Sequence, residues 1–120
     1  MGYITRYELE VKNVGTEEVF NRIVSQLNNR KIIGYALDSG MYDAAHKKAE
    51  FDCYAGEYVK WYECDNDIIA ISKMFPECLF ILSGDGEEEP DLWRSYYKNG
   101  LTETCYAELV YPEPSEYFRS

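Results

Sequence analysis

The chain has 120 residues, 46% of them apolar and 16% aromatic, which is too hydrophobic for wholesale disorder and suits one domain (residues 1–120) around one core. Twenty-two carboxylates against twelve Lys and Arg give a formal charge of −10, a field that repels nucleic-acid phosphates and attracts basic protein surfaces, so no direct DNA binding is expected. Met1-Gly2-Tyr3-Ile4-Thr5-Arg6 lacks the apolar centre of a signal peptide, Arg6 stands where a myristoylation motif wants Ser or Thr, and no later run approaches the ~20 apolar residues of a membrane span. A cytoplasmic location with no membrane contact is the expectation.

Residues 3–11 alternate, with Tyr3, Thr5, Tyr7, Leu9 and Val11 on one side and Ile4, Arg6, Glu8 and Glu10 on the other, the mark of a half-buried strand. Thr16 then caps a helix predicted to run to Asn29, with Glu17 and Glu18 near its positive end and Val19, Phe20, Ile23, Val24 and Leu27 forming an apolar stripe. Residues 31–37, containing Ile32, Ile33, Tyr35, Ala36 and Leu37, read as a second strand, and residues 41–47 as a loop. A third strand is expected over residues 49–58, reaching toward Trp61, with Gly56 as a bulge.

Asp65 is an N-cap candidate for a second helix, whose apolar side is Ile68, Ile69, Ile71, Met74 and Phe75 and which Pro76 ends. An apolar strand over residues 78–82 leads into a turn crowded with carboxylates, Ser83-Gly84-Asp85-Gly86-Glu87-Glu88-Glu89-Pro90. Residues 92–97 and 102–111 form a hairpin about Asn99-Gly100, and a tail follows over 112–120. The order β-α-β-β-α-β plus a hairpin predicts an α+β, ferredoxin-like antiparallel sheet with two helices on one face.

Chemistry-bearing patterns are sparse. The acidic turn does not have the spacing of a calcium loop, since Gly86 and Pro90 fall in the wrong places, so no metal is assigned. It also lacks the Lys and Ser or Thr of a phosphate loop. His46 is the sole histidine and lies in an ill-defined segment. Cys53, Cys64, Cys78 and Cys105 lack the close pairs of zinc sites and read as reduced, mostly buried thiols quieted by apolar surroundings. No catalytic residue and no cofactor is assigned, and a non-enzymatic role is expected.

The twelve tyrosines suggest recognition, because tyrosine combines contact area with a polar tip. Trp61, Tyr62, Trp93, Tyr96 and Tyr97 are candidates for an aromatic platform on the open sheet face. The candidate partner-binding residues are Asp85, Glu87, Glu88, Glu89 and Asp91 with Trp93, Tyr96 and Tyr97.

Trp61-Tyr62, Asp67, Phe75-Pro76, Phe80, Gly84-Asp85-Gly86-Glu87, Asp91-Leu92-Trp93 and Tyr97-Lys98-Asn99-Gly100 together resemble a pattern in small phage and mobile-element proteins, the YubB-like ferredoxin-like group, over about residues 60–111. The resemblance implies a fold and a phage or plasmid setting and supplies no catalytic residues. In that setting an acidic protein can stand in for phosphates on the basic channel of a host defence nuclease, acting as an anti-CRISPR-like inhibitor. Two other readings stand beside this one. The first is a nucleotide-signal sponge that stacks bases on Tyr and Trp, with Arg6, Arg22, Arg30, Lys31, Lys47, Lys48 and Arg94 available for a positive pocket. The second is an assembly module that adds its hairpin edge to a partner's sheet.

Overall fold

The structure is a computed structural model and describes residues 4–87, 91–108 and 112–115. Eight elements follow in the order β1 (Thr5–Lys12), α1 (Glu17–Asn29), β2 (Met41–Asp43), β3 (Lys48–Phe51), α2 (Cys64–Met74), β4 (Leu79–Gly86), β5 (Leu92–Lys98) and β6 (Leu101–Tyr106). The strands form one open, wholly antiparallel six-stranded sheet in the order β2-β3-β1-β4-β5-β6. The fold is α+β. Among the described residues no helix is long and apolar enough to cross a membrane.

The alternation read in β1 holds: Thr5, Tyr7, Leu9 and Val11 are buried, and the residues between them are not. β1 pairs with β4 over eight residues, Thr5 opposite Gly86 through Lys12 opposite Leu79, so Phe80 and Leu82 share the buried face with Val11 and Leu9. α1 contributes Ile23 and Leu27 to that core, and α2 contributes Ile68 and Ile71. Thr16 caps α1 as expected, its hydroxyl accepting from the Val19 N–H at 3.2 Å. Asn99 and Gly100, with φ of 49° and 85°, make the tight turn that joins β5 to β6, and the hairpin extends the sheet.

Several expectations need correction. Residues 31–37 are not a strand: Lys31 and Gly34 have positive φ, and the Ile32 carbonyl accepts from the N–H groups of Tyr35, Ala36 and Leu37, winding the segment into a compact turn that buries Ile32, Ala36 and Leu37. The second strand is instead Met41–Asp43, in the segment read as loop, closed onto β3 by a turn over residues 44–47. β3 stops at Phe51, and the segment read as its continuation turns through a short 3-10 helix at Tyr54–Gly56, where Ala55 and Gly56 have positive φ. α2 begins at Cys64, one residue before its expected cap, and Asp65 lies in its first turn.

A further correction concerns Ser83-Gly84-Asp85-Gly86, which continues β4 and is not a turn. Gly84 lies opposite Trp93 on the helix face, and a Cβ there would overlap the indole. Glycine in this strand marks the close approach of a large ring. Of the expected last strand, residues 101–106 are β6, residues 107–108 lie beyond it, and 109–111 fall outside the described residues. Gly84→Ala is expected to destabilise the fold by roughly 1–3 kcal/mol, the usual range for overpacking, as read from the urea midpoint with an unchanged m value.

Candidate functional site

The register divides the expected partner-binding residues between two faces. Asp85 is on the open face, where its Oδ2 accepts from Arg6 Nη2 at 3.0 Å. Tyr96 is on the same face, opposite Ile81. Trp93 and Tyr97 point to the helix side: Trp93 packs edge-to-face with Tyr7 at 6.0 Å, and Tyr97 is 0% exposed. Its burial removes Tyr97 from any partner-contacting surface. Trp61 is also buried, leaving Tyr62 exposed beside it, so the five aromatics do not form one platform.

Glu87 is exposed just past β4, its N–H donating to the Ile4 carbonyl at 3.0 Å. Asp91 lies over Gly86, whose N–H donates to the Asp91 carbonyl at 2.8 Å. The Asp91 Oδ2 is buried with no hydrogen-bond partner among the described residues. Glu88 and Glu89 fall outside the described residues.

Two carboxylates near the start of α2 are structural. Asp65 accepts from the buried Tyr97 hydroxyl at 2.5 Å, and Asp67 accepts from Trp61 Nε1 at 2.8 Å and from Arg30 Nη1 at 3.1 Å. They satisfy a phenol and an indole that would otherwise be buried unpaired, and they complement the positive end of the helix. Burial, then the Asp65 carboxylate, pushes the Tyr97 phenol up. Burial raises Tyr7 to about 12, and burial followed by the neighbouring Asp65 raises Cys64 to about 11.

All four cysteines are free thiols. Cys78 is buried and its pKa raised by that burial, but Cys105 is exposed on β6, against the expectation of mostly buried thiols. His46 sits in the exposed β2–β3 turn, its Nδ1 2.8 Å from Asp43 Oδ2, and this hydrogen bond lowers the Asp43 pKa. Among the described residues no group of three or more His, Cys, Asp or Glu is placed to hold a metal ion.

The open face carries a trough of about 590 Å3 across β1, β4, β5 and the strand end of β6, lined among others by Arg6, Asp85, Ser83, Arg94, Leu92 and Tyr96. Arg6 is held by Asp85 and lies 4.8 Å over the Tyr58 ring, and Arg94 Nε donates to Ser83 Oγ at 3.3 Å. Of the seven cations singled out in the sequence, the fold brings these two together. Arg22 lies over Phe75, Arg30 pairs with Asp67, and Lys48 pairs with Glu10 and Glu50. Glu8, Cys53 and Leu92 also line the trough and were not anticipated. The outward side of β1 was readable from its alternation, but its pairing with β4 and β5 was not.

Strand register also sorts charge along the sheet. Asp85, Glu87 and Asp91 gather where β1 starts and β4 ends. Glu57, two residues before Val59, and Lys60, the residue after it, are brought near by the Thr5–Val59 backbone pair, and Glu108 by the bond from Ala107 N–H to the Leu92 carbonyl. Lys12, Lys48 and Lys98 lie at the opposite end.

Comparison with protein-family models, curated proteins and solved structures finds no match.

The folded state favours the neutral forms of Tyr7, Tyr97 and Cys64. The stability they contribute is therefore complete below about pH 9, the ordinary thiol value, and is lost as pH climbs through about 11 for Cys64 and about 12 for Tyr7. Urea midpoints are expected to fall steadily above pH 9. Tyr7→Phe, which keeps the edge-to-face packing, should make that alkaline slope shallower.

Proposed function

We propose that this chain is a non-enzymatic acidic binding protein whose partner presents a basic surface. The narrower form of the proposal is an inhibitor of a host defence nuclease, anti-CRISPR-like, encoded by a phage or mobile element and occupying the nuclease's nucleic-acid channel. A ferredoxin-like description belongs to the same proposal. Its support is the chain order of β1, α1, β2, β3, α2 and β4, with β1 inside the sheet, and a hairpin added beyond β4.

The observation that carries the functional reading is the segregation of charge. Arg6, Arg30 and Lys48 are engaged in internal ion pairs, while Glu57, Glu87 and Glu108 are exposed near the start of β1 with no cation at ion-pair distance among the described residues. An end where carboxylates outnumber cations steers a basic partner and holds it by contacts that salt weakens. A surface of mixed, mutually paired charges would not.

The trough supports a second reading, a site for a small anionic ligand with a planar part. Arg94 commits only its Nε to Ser83 among the described residues, and Leu92 and Tyr96 supply the surface beside it. A volume of about 590 Å3 falls within the usual range of ligand sites.

Both readings are testable on the intact protein. Capture of a basic nuclease from bacterial lysate should succeed at low salt and fail at high salt. The triple change Glu57→Lys, Glu87→Lys and Glu108→Lys should abolish capture, whereas Glu77→Lys, beside the lysine end, should leave it. Capture that is indifferent to salt counts against the acidic reading. For the trough, a nucleotide panel should contain at least one member that raises Tm in proportion to ligand excess, and Arg94→Ala should remove the shift. A flat panel at millimolar ligand removes that reading.

A further inference from the structure

The outer edge of β6 is open among the described residues. All six residues of Leu101–Tyr106 are exposed, Leu101 at 77% and Tyr106 at 69%. Natural sheets guard such edges with lysine, proline, bulges or very short strands. β6 contains no lysine or proline, and it pairs with β5 over six consecutive residues without a bulge. At the other edge of the sheet, β2 has only three residues.

The hairpin fixes which backbone groups face outward. Asn99-Gly100 is a two-residue turn, so Lys98 and Leu101 close it as a hydrogen-bonded pair, and hydrogen-bonded pairs then alternate along the ladder. The bond from Ala107 N–H to the Leu92 carbonyl, 2.9 Å, keeps the same parity. Leu101, Glu103 and Cys105 therefore direct their N–H and C=O groups to β5. Thr102, Thr104 and Tyr106 direct theirs to the open edge.

We infer that β6 is the seam of a homodimer, pairing antiparallel with β6 of a second copy about a two-fold axis through Thr104 to make one continuous sheet. This proposal is independent of the acidic end and the trough. A two-fold perpendicular to the sheet keeps each face on its own side, so only residues of equal parity can oppose one another. Centring on Thr104 sets Thr104 against the second copy's Thr104, and Thr102 against the second copy's Tyr106. These are the residues whose outward groups have no partner among the described residues, and together they complete six hydrogen bonds.

The same register sets Glu103 against the second copy's Cys105 and Leu101 against the second copy's Ala107. No like charges meet, and Leu101, the most exposed leucine among the described residues, gains an apolar neighbour. Centring on Glu103 would oppose two carboxylates, and centring on either Glu103 or Cys105 would complete only four hydrogen bonds with the three outward residues. Self-complementarity in both hydrogen bonds and charge selects the second copy as the occupant of this edge.

Two copies at −10 repel one another at long range, so self-association should strengthen as salt screens that repulsion, opposite in sign to the capture of a basic partner. Light scattering after size exclusion should show the mass doubling with concentration, at lower protein concentration in higher salt. Thr104→Pro removes an outward N–H and leaves the β5–β6 ladder bonds in place, so it should give a folded monomer. In Glu103→Cys the introduced thiol faces the second copy's Cys105 at a non-hydrogen-bonded pair, where Cα atoms lie about 4.5 Å apart, within disulfide reach. Mild oxidation should yield a covalent dimer whose peptide map joins the introduced thiol to Cys105. A chain that stays monomeric at every concentration and salt overturns the proposal. So does a folded Thr104→Pro protein that still dimerises, or a map joining the two introduced thiols to each other.

Discussion

The structure depends on the eight-residue antiparallel pairing of β1 with β4. It places Tyr7, Leu9 and Val11 beside Gly84, Leu82 and Phe80 under the helices, and Arg6, Glu8 and Glu10 beside Asp85, Ser83 and Ile81 on the open face. A one-residue slip would exchange these sets, exposing the residues that line the core and burying four charged side chains. Burying an unpaired charge costs far more than the pairing returns, so the two faces enforce one register. The trough and the acidic end both follow from this register, because Arg6 and Asp85 meet only when Thr5 stands opposite Gly86.

α2 is held to this framework by polar contacts as well as by Ile68 and Ile71. Tyr97 reaches across from β5 to Asp65, and Trp61, stacked edge-to-face on Tyr7 at 5.2 Å, donates to Asp67. At the other end of the helix, the buried Ser72 accepts from the Gly100 N–H at 2.9 Å and so ties α2 to the β5–β6 turn. Carboxylates that in sequence look like part of a general acidic surface are therefore divided into two kinds. Asp65 and Asp67 serve buried donors, while Glu57, Glu87 and Glu108 face solvent.

Strict periodicity was legible in the sequence: β1, α1 and the β5–β6 hairpin were readable from alternation, the Thr16 cap and Asn99-Gly100. Composition was a poorer guide where it competed with local backbone geometry. Ile32, Ile33 and Leu37 have strand-like chemistry, but positive φ at Lys31 and Gly34 folds them into a turn, where burial of Ile32, Ala36 and Leu37 is satisfied without a ladder. Gly84 and Gly86 looked like turn residues because glycine's role beneath a ring or a carboxylate becomes visible only when Trp93 and Asp91 are known to lie opposite. The candidate site was legible only in part for the same reason. Parity within a strand separates Tyr96 from Tyr97, but which of the two faces solvent depends on the strand's neighbours.

The distribution of charge shows how a chain at −10 keeps a stable sheet. On the open face Glu10 and Glu50 stand directly opposite one another, a destabilising arrangement by itself, and Lys48 lies 3.9 Å and 3.3 Å from their carboxylates. Arg6 stands directly opposite Asp85 and pairs with it at 3.0 Å. Paired cations within the sheet thus answer carboxylates on neighbouring strands, and much of the excess negative charge is left on loops and strand ends, where water screens it and no partner strand constrains it. The arrangement that relieves repulsion within the sheet also leaves the periphery acidic. The same division of cations therefore stabilises the fold and makes the surface negative.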